Sequence, residues 1–431
     1  MNSEKLLNSL QKITNLLNQD PMSLYSMIGP KSIQLEITNA CNLRCTMCDR
    51  WKWDSTPREE LSNDDLFSLF DELSNLGTQH ILISGGEPLL RKDFKDIIRY
   101  ITQKGIKVTV ITNGVCLTED IATTLIQSDA TIIISLDGSN EEIYSKIRGR
   151  KGLFSSITKN IDTLVRLRDI NKKGYISIHF VIQKHNLNDA SSFFNLGKKL
   201  KVDTISYGIV HGSHIPERDV GFDKEDYSKL KVIIKTLLDL KEKEQNIQID
   251  LRKELIALYD EQIQLQSLES GLLVAEIFRE NPVPCLSLNY WALIDAFGDV
   301  YPCCYAYFDN LDYESAQALR SQLCFGNIRE TPFQKIWMGE KFNQFRQSMN
   351  PVKIDLYPSV CGNCGSFFFF KEKWDNICKL KQKLNDIYGH LELNLSSIRD
   401  IILNCFAKPI DRAPRAYPAE LENMIRQLFD F

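Results

Sequence analysis

This 431-residue chain predicts an α/β protein with a parallel sheet, followed by a small cysteine-rich α+β module. Two observations predict it. From residue 31 the text alternates strand-like and helix-like segments six times, the rhythm of a parallel sheet covered by crossover helices. Cysteines also fall in two separated sets, one at residues 41–48 and one spread over residues 285–364.

The strands are expected at 33–37, 80–84, 106–112, 131–136, 175–182 and 203–208, where β-branched residues concentrate. Helical spacing of apolar residues falls between and after them, at 62–76, 92–104, 118–128, 139–147, 155–170 and 189–200. Before the sheet, Leu6, Leu7, Leu10, Ile13, Leu16 and Leu17 give residues 1–30 an amphipathic helix, and no peptide-recognition domain is expected there. Residues 31–215 form the strand–helix unit. Residues 216–280 read as a Lys- and Glu-rich helical bridge without strands, 281–370 as the cysteine-rich module, and 371–431 as a helical cap.

With 43% hydrophobic and 25% charged residues the composition is that of a globular protein. A net charge of −4, from 56 acidic and 52 basic residues, argues against a nucleic-acid partner. No stretch is apolar enough to span a bilayer or to form a signal-peptide core, so no membrane association and a cytoplasmic location are expected. In a reducing compartment the 12 cysteines read as metal ligands or reactive thiols rather than disulfides. Cys116, Cys378 and Cys405 lie outside the clusters and read as ordinary buried residues.

Cys41, Cys45 and Cys48 follow the first strand as Cys-x-x-x-Cys-x-x-Cys. That spacing aims three thiolates from one tight loop at a cubane iron–sulfur cluster and leaves one iron without a protein ligand. Structural zinc competes, but it takes four closed ligands, and no fourth Cys or His lies in the next thirty residues. A disulfide would leave one thiol over. After the second strand comes Ser84-Gly85-Gly86-Glu87-Pro88, whose glycines let backbone approach a ligand closely and whose Glu87 can accept from an ammonium; a plain Gly-Gly turn is the competing reading. Polar turns Thr112-Asn113-Gly114 and Ser135-Leu136-Asp137-Gly138 follow strands three and four, at the end where barrel sites collect.

The cysteine motif and the Gly-Gly-Glu-Pro run, in this order, resemble those of the radical S-adenosylmethionine (SAM) enzymes. The resemblance implies a partial (β/α)6 TIM barrel, a [4Fe-4S] cluster on Cys41, Cys45 and Cys48, and SAM bound at its open iron. By the same resemblance Gly85, Gly86 and Glu87 lie along SAM, Ser135 and Arg148 hold its carboxylate and ribose side, and Asn186 faces its adenine. An arginine fork suits a carboxylate, and a surface salt bridge is the competing reading for Arg148.

In the second set, Cys285 precedes a segment, Ile294 to Cys304, that reads as a hairpin turning at Phe297-Gly298-Asp299, and Cys361-Gly362-Asn363-Cys364 closes the set. Four-thiolate zinc competes for these ligands. The set resembles the SPASM/Twitch extension of radical SAM enzymes in its Gly298-to-Cys303 spacing, in Phe325-Gly326-Asn327-Ile328 and in the later Ile336-Trp337 and Phe345-Arg346. It departs from the two-cluster form, because no tight cysteine run follows Cys364. One auxiliary [4Fe-4S] cluster on Cys285, Cys303, Cys361 and Cys364 is therefore expected. Cys304 is left as a core residue, an alternative ligand or a catalytic hydrogen-atom donor, and Cys324 is also unassigned.

The resemblance implies reductive cleavage of SAM and abstraction of a substrate hydrogen atom, with electrons from a flavodoxin- or ferredoxin-type donor. The expected substrate is a peptide or protein whose residues are crosslinked or oxidised. The alternative is a small polar metabolite, such as an amino sugar, that is dehydrogenated or epimerised. A non-catalytic metal-binding scaffold is the remaining reading.

Overall fold

The computed structural model describes residues 29–48, 50, 58–210, 219–260, 285–303 and 313–349. The expectations for the helix before residue 29, for Cys304, Cys361, Cys364, Cys378 and Cys405, and for the 371–431 cap fall outside those residues.

Seven parallel strands neighbour one another in chain order: β1 (Ser32–Glu36), β2 (His80–Ser84), β3 (Lys107–Thr112), β4 (Thr131–Ser135), β5 (Tyr175–Ile182), β6 (Thr204–Ile209) and β7 (Gln248–Leu251). Crossovers run through α1 (Asn63–Asn75), α2 (Phe94–Gln103), α3 (Glu119–Gln127), α4 (Glu141–Arg148) with α5 (Phe154–Asn171), α6 (Ala190–Leu200) and α7 (Lys224–Lys243); α8 (Lys253–Tyr259) follows β7. Local chemistry sets these boundaries. Ser62 and Asp65 close a reciprocal capping box at the start of α1, and Asp223 with Asp226 does the same for α7. Gly149, at φ 72°, ends α4 in the left-handed conformation.

Side-chain alternation divides each strand between two environments. Ile33, Leu35, Ile81, Ile83, Val110, Ile132, Ile134, Ile176 and Ile178 are fully buried in the core beneath the helices. The other face is polar. Ser32 Oγ meets His80 Nδ1 at 2.8 Å, His80 Nε2 meets Thr109 Oγ1 at 2.9 Å, and Gln34 Nε2 donates to Ser84 Oγ at 3.2 Å. Further along, Ser135, His179, Ser206 and Asp250 stand side by side in register across β4 to β7. An open barrel with an apolar jacket and a hydrogen-bonded polar interior is the result.

The strand-free reading of 216–280 is corrected by β7, which pairs parallel to β6 from Thr204↔Gln248 to Tyr207↔Leu251. Its four residues alternate Gln, Ile, Asp, Leu, too short and too polar to stand out within charged helical text.

On the other side of β1 the sheet continues. β8 (Trp291–Ile294) pairs parallel to β1, β9 (Asp299–Tyr301) turns back antiparallel, and β10 (Gly326–Asn327) pairs antiparallel to β9. The cysteine-rich segment is thus joined to the barrel through a continuous sheet. Helices α9 (Tyr313–Leu323), α10 (Phe333–Trp337) and α11 (Glu340–Ser348) cover it. There the Arg346 guanidinium lies 4.3 Å from the Trp337 ring and 4.1 Å from Phe342. Glu72 of α1 accepts from the backbone N–H groups of Phe333 and Gln334 at 3.0 and 2.6 Å, so a barrel helix caps α10. Among the described residues no helix is long and apolar enough to cross a membrane.

Candidate active site

The loop that carries the first cysteines leaves the C-terminal end of β1 and is zipped to the Gly-Gly-Glu-Pro segment after β2. Gly86 N–H donates to Thr38 O at 2.8 Å and Glu87 N–H to Ala40 O at 2.8 Å. The approach requires glycine: a Cβ on Gly85, whose φ is +133°, would sit 2.3 Å from Thr38 O, and one on Gly86 would sit 2.1 Å from Ala40 O. Glu60 Oε1 accepts from Thr38 Oγ1 and Asn39 N–H at 2.9 and 2.7 Å, and Arg44 Nη1 donates to the carbonyls of Cys41 and Leu43, each at 2.9 Å. A short turn, Cys48 N–H to Cys45 O at 3.2 Å, brings the last two cysteines of the motif back on each other.

Glu87 is buried, and its carboxylate serves the next loop. It accepts from Leu89 N–H at 3.1 Å, Thr112 Oγ1 at 2.6 Å and Asn113 N–H at 2.7 Å. Burial pushes its carboxyl above the usual range against those hydrogen bonds. Asn113 in turn donates to Asn42 Oδ1 at 2.7 Å, and Asn42 Nδ2 lies 3.5 Å from Cys116 Sγ. Three loops, after β1, β2 and β3, are locked together.

The loop after β4 and α4 supplies the charge. Arg148, 7% exposed, forms an ion pair with the fully buried Asp137 at 2.5 Å and extends Nη1 to within 3.6 Å of Cys45 Sγ. Asp137 holds a left-handed backbone, φ 59°, and its Oδ1 accepts from Val181 N–H at 2.7 Å. Gly149 lets this corner pack on Arg44, since a Cβ there would lie 2.3 Å from Arg44 O. Thr46 N–H donates to Ile147 O at 2.9 Å, while Thr46 Oγ1 donates to Gln183 Oε1 at 3.3 Å and Gln183 Nε2 reaches Met47 Sδ at 3.8 Å.

Cys41, Cys45, Gly85, Gly86, Glu87 and Arg148 therefore come together at one end of the sheet. Ser135, last residue of β4, faces the interior in register with His179. Asn186 is turned inward: Nδ2 donates to the carbonyls of Asp137 and Val181 at 3.1 and 2.9 Å, and Oδ1 accepts from Gln183 N–H at 2.8 Å, so its amide braces the Asp137 corner. Sequence reasoning missed Asn42, Asp137 and Gln183. Asp137 and Gln183 shared one weak signal, a place just past a strand's C-terminal end.

The donor chemistry fits an iron–sulfur group. Three soft thiols share one loop, and that loop is anchored by Thr38, Ala40, Arg44, Thr46 and glycine backbone. Burial raises the Cys41 thiol above its ordinary value, and the neighbouring thiol of Cys45 adds to the shift. A bound cation is what would draw such thiols into the thiolate form. Among the described residues no three His, Cys, Asp or Glu side chains are already gathered around a metal-sized point.

At the second set, Cys285 and Cys303 are half-buried at the two ends of the hairpin unit, and Cys285 N–H donates to Met349 O at 3.1 Å. The hairpin turns where expected. Asp295 Oδ1 accepts from Phe297 N–H and Asp299 N–H at 3.0 and 2.9 Å, and Gly298 adopts φ 90°. The same Asp295, buried, takes Arg320 Nη2 at 2.5 Å. Strand β9 ends at Tyr301, so Cys303 lies just beyond it. Glu36, the last residue of β1, is fully buried beside Arg50, and burial pushes its carboxyl up to about 7.

Comparisons with known proteins agree with this geometry. Residues 35–196 match the radical SAM superfamily model, and residues 285–365 match the SPASM model, an iron–sulfur cluster-binding domain. The AdoMet-dependent heme synthase of Methanosarcina barkeri is 27% identical over 346 residues, covering 78% of this chain and 91% of that protein. The mycofactocin maturase MftC of Mycobacterium tuberculosis is 26% identical over 348 residues, covering 79% and 76%. In fold, the chain is similar to Streptococcus suis SuiB, crystallised with its precursor peptide SuiA, at a TM-score of 0.58 with 17% identity over 79% of this chain and 72% of that one.

Proposed function

Because the chain belongs to the radical SAM superfamily and carries a SPASM domain, we propose that it modifies residues of a peptide or protein, by crosslinking or oxidation, after abstracting a substrate hydrogen atom. The radical SAM domain binds a [4Fe-4S] cluster and SAM, and the SPASM domain binds auxiliary iron–sulfur. When bound, these groups supply a 5′-deoxyadenosyl radical and an acceptor for the second electron of an oxidation.

In this reading Cys41, Cys45 and Cys48 ligate the first cluster. The backbone of Gly85 and Gly86 lies along SAM, with Ser135 on the interior face nearby. Glu87 keeps the loops after β2 and β3 in register. Arg148, fixed by Asp137, offers positive charge beside Cys45. Cys285 and Cys303, with Cys361 and Cys364, hold the auxiliary cluster, and Cys304, next to Cys303 in sequence, is a candidate hydrogen-atom donor. The apolar layer between sheet and helices walls the sides of the barrel. A flavodoxin- or ferredoxin-type protein is the proposed electron donor.

One observation carries the oxidative reading. β8 is hydrogen-bonded to β1, so the strand that leads to Cys41 and the hairpin that leads to Cys303 share one sheet. The peptide substrate is supported by the relatives named as mycofactocin maturases. A second reading, oxidation of a small molecule, is favoured by the relatives named as heme synthases. Incubation of the reduced, reconstituted enzyme with candidate precursor peptides tests the choice. Loss of a hydrogen pair from the peptide by mass spectrometry supports the first reading. An unchanged peptide, with SAM consumed in step with oxidation of a small molecule, overturns it in favour of the second.

A further inference from the structure

The far wall of the barrel holds a cation that no described residue answers. Arg252 directly follows β7, and its backbone N–H is fixed to Tyr207 O at 3.0 Å. Its guanidinium makes no hydrogen bond or ion pair with any described residue, and its Nε is buried without a partner. An arginine nitrogen removed from water and left unpaired costs free energy, so such groups are normally satisfied.

The side chain is directed to the polar interior rather than to the helix layer. On β6 the helix side is taken by Ile205, which packs at Gly197, and by Tyr207, whose hydroxyl donates to Ala190 O at 2.9 Å. Gly208 lies on the opposite face, two residues beyond Ser206. A Cβ there would meet Arg252 Cδ at 3.2 Å, Arg252 Nε at 3.3 Å and His179 Cε1 at 3.4 Å. Glycine at 208 thus lets Arg252 lie across β6 beside His179. The nearby carboxylate on the same face, Asp250, takes Ser206 Oγ at 3.2 Å and makes no ion pair with Arg252. Arg252 and the cysteine loop both stand at the C-terminal ends of their strands, and five strands separate β1 from β7. They face the same mouth from its two sides.

We propose that Arg252 anchors a carboxylate of the substrate, holding it against the wall opposite the cysteine loop. The inference rests on the proposed function. A planar fork of donors, with Nε buried and no described residue paired to it, is suited to bidentate capture of a carboxylate. The cosubstrate SAM carries a carboxylate too, and the distance across the sheet favours the substrate's.

Modification of arginines in the anaerobically reconstituted holoenzyme by phenylglyoxal, mapped by peptide mass spectrometry, tests it without knowledge of the substrate. Glutarate should slow modification of Arg252 by about fivefold or more, as expected for a charge-assisted bidentate contact. Isosteric glutaramide, chloride at matched ionic strength, and SAM should not, and the exposed Arg166 serves as an internal control. Equal rates with glutarate and glutaramide would overturn the proposal, and so would an Arg252 that never reacts. Protection by SAM would reassign the site to the cosubstrate. SAM cleavage, measured on the same preparation, reports separately on the proposed function. Protection without cleavage would sink that function and leave the anion site standing.

Discussion

Arg148 places Nη1 3.6 Å from Cys45 Sγ while its Nη2 is paired with buried Asp137. A positive charge fixed beside a ligand thiol favours its thiolate and tunes any group bound there. Arg148→Gln should lower iron retention and shift the reduction potential of the first cluster to more negative values. An unshifted potential in an EPR-monitored redox titration would remove that role.

Removing the other half of the pair should cost stability. Asp137→Asn leaves the Arg148 charge buried without its counter-ion, a loss of about 3–5 kcal/mol. The measurement is the urea midpoint of the variant against wild type, and a change within error would show that the pair contributes nothing.

The contact between the Gly-Gly segment and the cysteine loop leaves no room for a methyl group. Gly86→Ala must displace Ala40 O, which a Cβ would approach to 2.1 Å, at a cost of about 1–3 kcal/mol. Iron incorporation and SAM binding should both fall, since both depend on the loop's position. Wild-type SAM affinity by equilibrium dialysis would contradict the account.

His80 predicts an acid-sensitive barrel interior. Burial lowers its pKa to about 4, and the neutral ring bridges Ser32 and Thr109. The folded pKa lies below the ordinary value of 6.5, so the contribution is complete above that value. It is lost as pH falls toward 4, because the unfolded chain takes up the proton first. The difference amounts to about 3 kcal/mol. A ring that titrates above pH 6 by NMR would contradict this.

Iron content separates the two thiol sets. About eight irons per chain in the reconstituted protein, falling to about four when Cys41, Cys45 and Cys48 are all replaced by Ala, is the outcome expected of two cubane clusters. About four falling to none, with zinc present, would make the second site structural.

Much of this was legible in the residues. The six strands read from β-branched runs agree with β1 to β6 to within a residue or two, because β-branched residues concentrate on the face each strand turns to the helices. The cysteine and Gly-Gly motifs were legible because their chemistry is local in sequence. β7 was not: a short edge strand with alternating polar residues carries little signal. Nor were Asp137, Gln183 and Arg252, whose meaning depends on partners or vacancies created by distant strands. Glu87 and Asn186 show the converse limit. Their positions were noted as ligand contacts, while their side chains hold neighbouring loops together, a duty only the folded backbone reveals.

The central claim is that the thiols after β1 build the radical-generating site. Anaerobic reduction of the reconstituted enzyme with SAM, followed by chromatography of the products, measures it directly. The account predicts 5′-deoxyadenosine from the wild-type chain and none from Cys45→Ala. Undiminished 5′-deoxyadenosine from that variant would contradict it.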